Sequence, residues 1–443
     1  MNLECFFNPR SISLIGASHS ERKLGGTILK NLLKFRGRVY PVNPKYNDLM
    51  GLKAYRRVEE IPEIVDLSII IRPATEVPEI LVAQRDMVRC AIIISAGFAE
   101  VGESKLQDEV KRLGQELGIR ILGPNCMGIY NPYGKLDTLF LPYERLKRPK
   151  RGNIAVTSQS GAILSYLFGA IRAANVGISR AVHYGNAIDI DESDLYEYLM
   201  HDRDTDVVIS YIESVGDGRK FIKNATVLSE KKPLIILKSG KGSRGEVAAY
   251  SHTGRLAGRY EVFSSILRQF GIKEALDLDD LTDKAKALSL LRSSKGNRVL
   301  IITNGGGSGV LAVDECMRQD LEVTPLPEEK KERLREIFPD FYVVNNPVDL
   351  TAQVRDEDYL VVLKELKDFY DGFIVIALAN VLGITERLSE IIKNFKEDSQ
   401  KPLIFHIDQS EISRKLIALL ERSRIPVYPS PERAVRGLKA LLS

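Results

Sequence analysis

Three times along this chain, a short apolar strand runs into a turn of small residues and then into a helical pattern. The first is SISLIGAS, followed after a loop by GGTILKNLLKF. The second is NIAVTSQSGAILSYLFGAI, and the third is RVLIITNGGGSGVLAVDECMRQ. They begin near positions 11, 153 and 298, a spacing of domain length that argues for three domains rather than a solenoid. Further continuous apolar runs (LSIII, CAIIISA, LIILK, FIVIALA, LIFHI) read as strands of a parallel sheet buried on both faces. Helical segments lie between them, so the fold class expected is α/β, with doubly wound sheets. A length of 443 residues, at about 150 per domain, leads to the same number of domains.

The breakers set the expected boundaries. The first domain covers 1–130 and ends around GPNCMGIYNPYG, and the Pro- and charge-rich LPYERLKRPKRG follows as a linker. The second covers 150–292, closed by a helix at LTDKAKALSLLRSS, and the third covers 297–443. Net charge is only +4 and the signs interleave, so no basic stripe points to nucleic acid. No apolar run approaches the roughly 20 residues that span a bilayer, and MNLECFFNPR lacks a signal-peptide pattern. The cysteines Cys5, Cys90, Cys126 and Cys316 are far apart and without CxxC spacing. Reduced thiols, no metal site and a cytoplasmic location are expected.

The chemistry concentrates at strand ends. Gly16-Ala17-Ser18 closes the first strand before a helix, where an open α/β sheet receives a nucleotide-like ligand. The pattern is not GxGxxG, and a plain tight turn is the competing reading. Asn43-Pro44-Lys45, Arg72-Pro73-Ala74, Ser95-Ala96-Gly97-Phe98 and Gly123-Pro124-Asn125 follow other apolar runs and add to the same sheet edge. The second domain opens with Ser158-Gln159-Ser160-Gly161, whose hydroxyls and helix N-terminus suit a phosphate, or serve simply as a cap. The third opens with Gly305-Gly306-Gly307-Ser308-Gly309, costly in entropy unless something approaches the backbone closely, and without the lysine of a Walker A loop. Glu213 directly follows the strand-like VVISYI, where a carboxylate can orient an imidazole or simply pair with a cation such as Arg219 or Lys220. His252, in AAYSHTGRLAGRY, is the strongest nucleophile candidate, a histidine among small residues. His19, His183 and His201 lack such surroundings, and His406 in LIFHID reads as a core residue.

The ordered motifs IGAS, ISAGFAE, GPNCMG, TSQSGA, GNAIDID, YIES, KSG, SHTG, TNGGGSGVLAVD and NPVDL together resemble the α subunit of ADP-forming acyl-CoA synthetases, in the succinyl-CoA synthetase superfamily. The resemblance covers nearly the whole chain. It implies a Rossmann-like CoA-binding domain followed by two flavodoxin-like, succinyl-CoA ligase-like domains. It also implies an acid–thiol ligase that works through acyl phosphate and phosphohistidine, with ADP or ATP and Mg on a separate ATP-grasp β subunit in an α2β2 heterotetramer. Residue by residue, His252 matches the phosphorylated histidine and Glu213 its supporting glutamate. Ser158, Gln159, Ser160 and Gly161, with Gly305, Gly306, Gly307, Ser308 and Gly309, match the two phosphate-facing turns. Gly16, Ala17, Ser18, Lys45, Arg72, Pro73, Ser95, Ala96, Gly97 and Phe98 match the CoA cleft, with Asn125 at its inner end. Arg255 departs from the small residue common after SHTG. The rival readings are a CoA- or nucleotide-sensing module without catalysis and the scaffold of a protein acyltransferase. The resemblance leaves the acyl group and the ADP or GDP preference open.

Overall fold

The computed structural model describes residues 3–242, 244–245 and 259–442, so His252 and Arg255 lie outside the described residues. The chain forms two compact units, Met1–Leu278 and Asp279–Ser443. No helix among the described residues is long and apolar enough to cross a membrane.

The first unit holds two large sheets and a small antiparallel pair, Asp48–Leu49 with Leu52–Lys53. One large sheet consists of β1 (Ser11–Ile15), β2 (Arg38–Val42), β3 (Val65–Ile70), β4 (Val88–Ile93) and β5 (Arg120–Leu122), in the order β2-β1-β3-β4-β5. All its pairings are parallel. This is the doubly wound order, with its topological switch point between β1 and β3. Helix α1 (Leu24–Leu32) follows β1 and comes very close to the turn, because a Cβ on Gly25 would fall 2.1 Å from the Gly16 carbonyl oxygen. Cys5 and Cys90 are joined in a disulfide, tying the N-terminal segment to β4, which corrects the expectation that all four thiols are free. Cys126 and Cys316 are free and buried.

The second sheet contains β6 (Gly128–Asn131), β7 (Leu136–Asp137), β8 (Arg151–Ser158), β9 (Ile178–His183), β10 (Val207–Ile212), β11 (Leu234–Lys238) and β12 (Lys273–Glu274). Their order is β12-β11-β10-β8-β9-β6-β7, parallel except for the β6–β7 hairpin, which adds antiparallel to β9. Helix α2 (Gly161–Ala173) follows β8. The segment GIYN, read from sequence as the end of the first domain, thus extends the second sheet. The cores merge accordingly. Leu14, Ile69, Leu122 and Ile129 share one apolar cluster with Val182, Tyr184, Ile190 and Leu195.

The second unit is built around β13 (Val299–Thr303), β14 (Val348–Asp349), β15 (Gly372–Ala377), β16 (Leu403–Ile407) and β17 (Val427–Tyr428). These run parallel in the order β14-β13-β15-β16-β17, repeating the switch-point topology of the first sheet. The helix Leu278–Leu290, expected to close the preceding domain, lies from Asp279 onward in this unit. Asp283 accepts from both Arg433 Nε at 2.7 Å and Nη2 at 2.8 Å, and its carbonyl accepts from Tyr428 Oη at 2.8 Å. Lys286 Nζ donates to the Val427 carbonyl at 2.7 Å.

Candidate active site

At the switch point of the first sheet, Gly16 adopts φ +93°, which only glycine takes without strain. A Cβ there would meet the Ile71 carbonyl oxygen at 2.5 Å, so the crevice between β1 and β3 depends on this glycine. Asn43 Nδ2 donates to the Ala17 carbonyl at 2.8 Å, and Asn43 Oδ1 accepts from the Lys45 N–H at 3.0 Å. Ser18 Oγ accepts from the Ser20 N–H at 3.1 Å. The side chains of Lys45 and Arg72 are exposed beside this edge. Arg72 is paired with Glu76, and its carbonyl accepts from Ser95 Oγ. The residues therefore fit an anionic, nucleotide-like ligand: a cradle that a Cβ would fill, flanked by two cations.

The turn Ser95-Ala96-Gly97-Phe98 is held from beneath. Glu100 Oε1 accepts from the N–H groups of Gly97 at 2.6 Å and Phe98 at 3.1 Å, while Oε2 accepts from Asn186 Nδ2 at 2.6 Å. Burial pushes the Glu100 carboxyl up, but these donors outweigh it and hold it below its ordinary value. Asn186 belongs to the loop after β9, and its Oδ1 accepts from Asn125 Nδ2 at 3.3 Å. Asn125 itself sits at φ +56° after a cis Gly123–Pro124 bond, its N–H donating to the Ser95 carbonyl at 2.9 Å.

Two residues beyond Asn125, the chain meets the second sheet. The Met127 N–H donates to His183 Nδ1 at 2.8 Å, and His183 Nε2 lies 3.1 Å from the Gln159 carbonyl oxygen. A Cβ on Gly161 would fall 2.8 Å from Met127 Sδ and 3.2 Å from His183 Cε1. The start of α2 is thus wedged against the loop that carries Asn125. Ser158 Oγ donates to the Ser160 carbonyl at 2.7 Å and accepts from the Ser160 N–H at 3.2 Å, while Ser160 Oγ caps α2 by accepting from the Ile163 N–H at 3.5 Å. Capping is therefore real, as the plain reading of this turn allowed. The Gln159 side chain points the other way: its Oε1 accepts from the N–H groups of Glu213 at 2.7 Å and Ser214 at 2.9 Å. The buried Lys238 donates to the Glu213 carbonyl at 2.8 Å. Glu213 itself is buried at the end of β10.

In the other unit, the glycine turn precedes helix α3 (Gly306–Arg318). Thr303 Oγ1 donates to the Gly305 carbonyl at 2.9 Å and accepts from the Gly305 N–H at 3.0 Å. Close neighbours account for three of its four glycines: Leu378 Cδ1 at 2.6 Å from a Cβ on Gly305, Asp349 Oδ2 at 3.0 Å from one on Gly306, and Thr303 Cγ2 at 3.1 Å from one on Gly309. Gly307 has nothing within 4 Å. No side chain caps this helix, and Ser308 lies in its first turn.

Sequence reasoning divided Gly16–Ser18, Lys45, Arg72–Pro73, Ser95–Phe98 and Asn125 from Ser158–Gly161 and Glu213 as parts of two domains, whereas the structure holds all of them in one compact unit. That reasoning missed Glu100, Met127, His183, Asn186 and Lys238 as parts of the same network. All five lie within or beside the motif strings, but their partners are main-chain groups or side chains tens of residues away. His406 is the core residue expected, its Nδ1 3.1 Å from the Tyr428 carbonyl and its imidazole pushed down by burial.

The CoA binding domain family matches residues 10–132, the succinyl-CoA ligase like flavodoxin domain residues 151–288, and the Ligase-CoA domain residues 299–379. The acetate–CoA ligase (ADP-forming) II subunit alpha of Pyrococcus furiosus is 38% identical, over 99% of this chain and 97% of that protein. An acetate–CoA ligase (ADP-forming) of Methanocaldococcus jannaschii is 36% identical over 98% of this chain, which spans 62% of its length. Among solved structures, the dinucleotide forming acetyl-coenzyme A synthetase 1 of Ca. Korarchaeum cryptofilum, in complex with phosphate and ADP, superposes with a TM-score of 0.92 at 34% identity. It is covered over 96% of its chain by 99% of this one.

Proposed function

The chain belongs to the α subunits of the ADP-forming acyl-CoA synthetases, and from that premise we infer that it carries the acyl-transfer half of the reaction. Acyl-CoA, phosphate and ADP are interconverted with a carboxylate, CoA and ATP. CoA lies along Gly16–Ser18, Lys45, Arg72–Pro73 and Ser95–Phe98, with its thioester toward Asn125. Inorganic phosphate sits at the N-terminus of α2, where Ser158–Gly161 offers N–H groups and a favourable helix dipole. A phosphate oxygen attacks the thioester carbonyl carbon and the CoA thiolate leaves, giving an acyl phosphate. An imidazole nitrogen of His252 then takes the phosphoryl group, releasing the carboxylate. Transfer to ADP completes the cycle.

The observation that supports this best is the wedge of Gly161 against Met127 and His183. It brings the inner end of the cleft and the phosphate turn together inside one compact unit, as a reaction between thioester and phosphate needs. A sensing module has no use for a second anion site so close to the first. Glu213 supports the imidazole of His252, and the Gly305–Gly309 turn offers a second phosphate-facing helix start. The nucleotide and Mg belong to an ATP-grasp β subunit, in an α2β2 assembly of the cytoplasm. The experiment is to mix the chain with that subunit and labelled ATP. Acid-labile label on this chain, lost in His252→Ala while CoA binding persists, is the expected result. Undiminished label in the variant removes the phosphohistidine.

A further inference from the structure

We propose that His183 is a positioning residue for acyl transfer: a buried imidazole that bridges, and so sets the distance between, the thioester end of the cleft and the phosphate turn. The proposal rests on the reading of those two sites given above. His183 ends β9, where it pairs with Ser158 of β8 on one side and Gly128 of β6 on the other. Its ring is buried between the loop carrying Asn125 and the turn that starts α2.

The two hydrogen bonds assign complementary roles to its ring nitrogens. A main-chain N–H can only donate, so the Met127 contact at 2.8 Å requires a lone pair on Nδ1. A carbonyl can only accept, so the Gln159 contact at 3.1 Å requires the proton on Nε2. The neutral Nε2–H tautomer satisfies both, whereas an imidazolium would set N–H against N–H at Met127. In that tautomer both ring nitrogens are engaged, one to each loop. His183 acts as a two-ended strut.

The strut continues on both sides. On one side, Met127 follows Asn125, which Asn186 and Glu100 connect to the Gly97–Phe98 turn. On the other, Gln159 uses its carbonyl for His183 and its side chain for the N–H groups of Glu213 and Ser214. Removing His183 leaves the Met127 N–H and the Gln159 carbonyl without their bridge, and the two loops can drift apart. A misplacement of about 1 Å costs on the order of 10²-fold in a reaction that depends on approach geometry.

The test uses the chain assembled with its partner subunit and measures two half-reactions, with acetyl-CoA and inorganic phosphate as probes for the first. His183→Leu is expected to lower kcat for acetyl phosphate formation on the order of 10²-fold, with KM for acetyl-CoA and labelling of this chain by ATP little changed. His183→Gln, whose amide both accepts and donates, is expected to recover most of that loss. Should the leucine variant not fold, His183→Asn serves, since it keeps an acceptor near Met127 but is too short for the Gln159 carbonyl. A normal acetyl half-reaction in His183→Leu overturns the proposal. So does an equal fall in both half-reactions, with a lowered Tm and no recovery in His183→Gln, because that is a plain stability effect. Wild-type chain that forms acetyl phosphate but takes no label from ATP removes the phosphohistidine reading and leaves His183 standing. Wild-type chain that forms no acetyl phosphate removes both.

Discussion

The turns at Thr157–Gly161 and Thr303–Gly309 are built alike, and they differ where chemistry needs them to. In each, a hydroxyl at the strand end clamps the residue two positions on, donating to its carbonyl and accepting from its N–H: Ser158 with Ser160, and Thr303 with Gly305. In each, the residue between is a buried amide that reaches the end of the neighbouring parallel strand. Gln159 takes the N–H of Glu213 after β10, and Asn304 takes the N–H of Leu378 after β15. Glu213 and Leu378 are therefore structural counterparts. At that strand end one frame carries a glutamate and the other a leucine. The first helix is capped by Ser160 and wedged shut by Met127 and His183, while the second has no side-chain cap and open space at Gly307. The comparison teaches that one strand–turn–helix frame recurs with a different residue at the adjacent strand end, and it is at that residue that the proposed roles of the two turns diverge.

The largest effect is expected at that counterpart pair. Glu213→Leu gives the first turn the residue of the second, and Glu213→Gln keeps the shape without the charge. Either should slow histidine phosphorylation by up to about 10⁴-fold, the cost of losing an orienting carboxylate in a hydrolase, with acyl exchange between phosphate and CoA suffering far less. Leu378→Ala should leave histidine phosphorylation near the wild-type rate. Equal losses in both half-reactions for the Glu213 variants, measured separately with labelled ATP and with acetyl phosphate plus CoA, would take Glu213 out of the mechanism.

The bridging amides come next, and here the measure is stability. Gln159→Leu strips two N–H groups of their acceptor and Asn304→Leu strips one. At about 1–3 kcal/mol for each buried group left unpaired, the first should cost about 2–6 kcal/mol and the second about 1–3 kcal/mol. Denaturant unfolding of each variant decides it, and a larger loss in Asn304→Leu would show the likeness of the two frames to be superficial.

Much of this was legible in the sequence. Continuous apolar runs marked the buried parallel strands, and small residues after them marked the turns, because parallel sheets and close backbone approach leave few other choices. The two turns were located in the sequence for the same reason, and Glu213 by its place directly after a strand. What the sequence hid depends on partners far away in the chain. The strand Gly128–Asn131 leaves its apparent domain because its pairing partner, β9, lies some fifty residues on. Cys5 meets Cys90 across 85 residues. The helix Leu278–Leu290 follows the second sheet in sequence but finds its partners at Tyr428 and Arg433. His183 looked idle because one of its bonds is to a main-chain N–H and the other to a main-chain carbonyl, which no residue pattern displays.

A moderate effect is expected from packing. Gly161→Ala places a Cβ 2.8 Å from Met127 Sδ, closer than a real contact, so Met127 or the helix start must shift. Overpacking of this kind costs about 1–3 kcal/mol. Acyl transfer should fall with it, because the shift opens the gap between Asn125 and the phosphate turn. A paired Met127→Ala should restore part of the stability. No recovery in the double variant would mean that the His183 Cε1 contact at 3.2 Å, rather than Met127, sets the limit.

The smallest effect, and the sharpest reading of the second turn, belongs to Gly307→Ala. A Cβ there meets nothing within 4 Å, and the residue lies in the first turn of a helix, so the change removes unfolded-state freedom without adding a clash. Such a replacement stabilises by about 0.4–1 kcal/mol when the native backbone allows it. Its N–H remains, but the methyl now projects from an exposed, uncapped helix start. If phosphate passes over this turn during transfer, KM for phosphate should rise while affinity for CoA and acyl exchange at the first turn hold. The outcome separates the two roles a glycine turn can have. A gain in stability with phosphate kinetics unchanged would make the Gly305–Gly309 turn a frame for Leu378 and Asp349 only, and would leave phosphate binding to the Ser158–Gly161 turn alone.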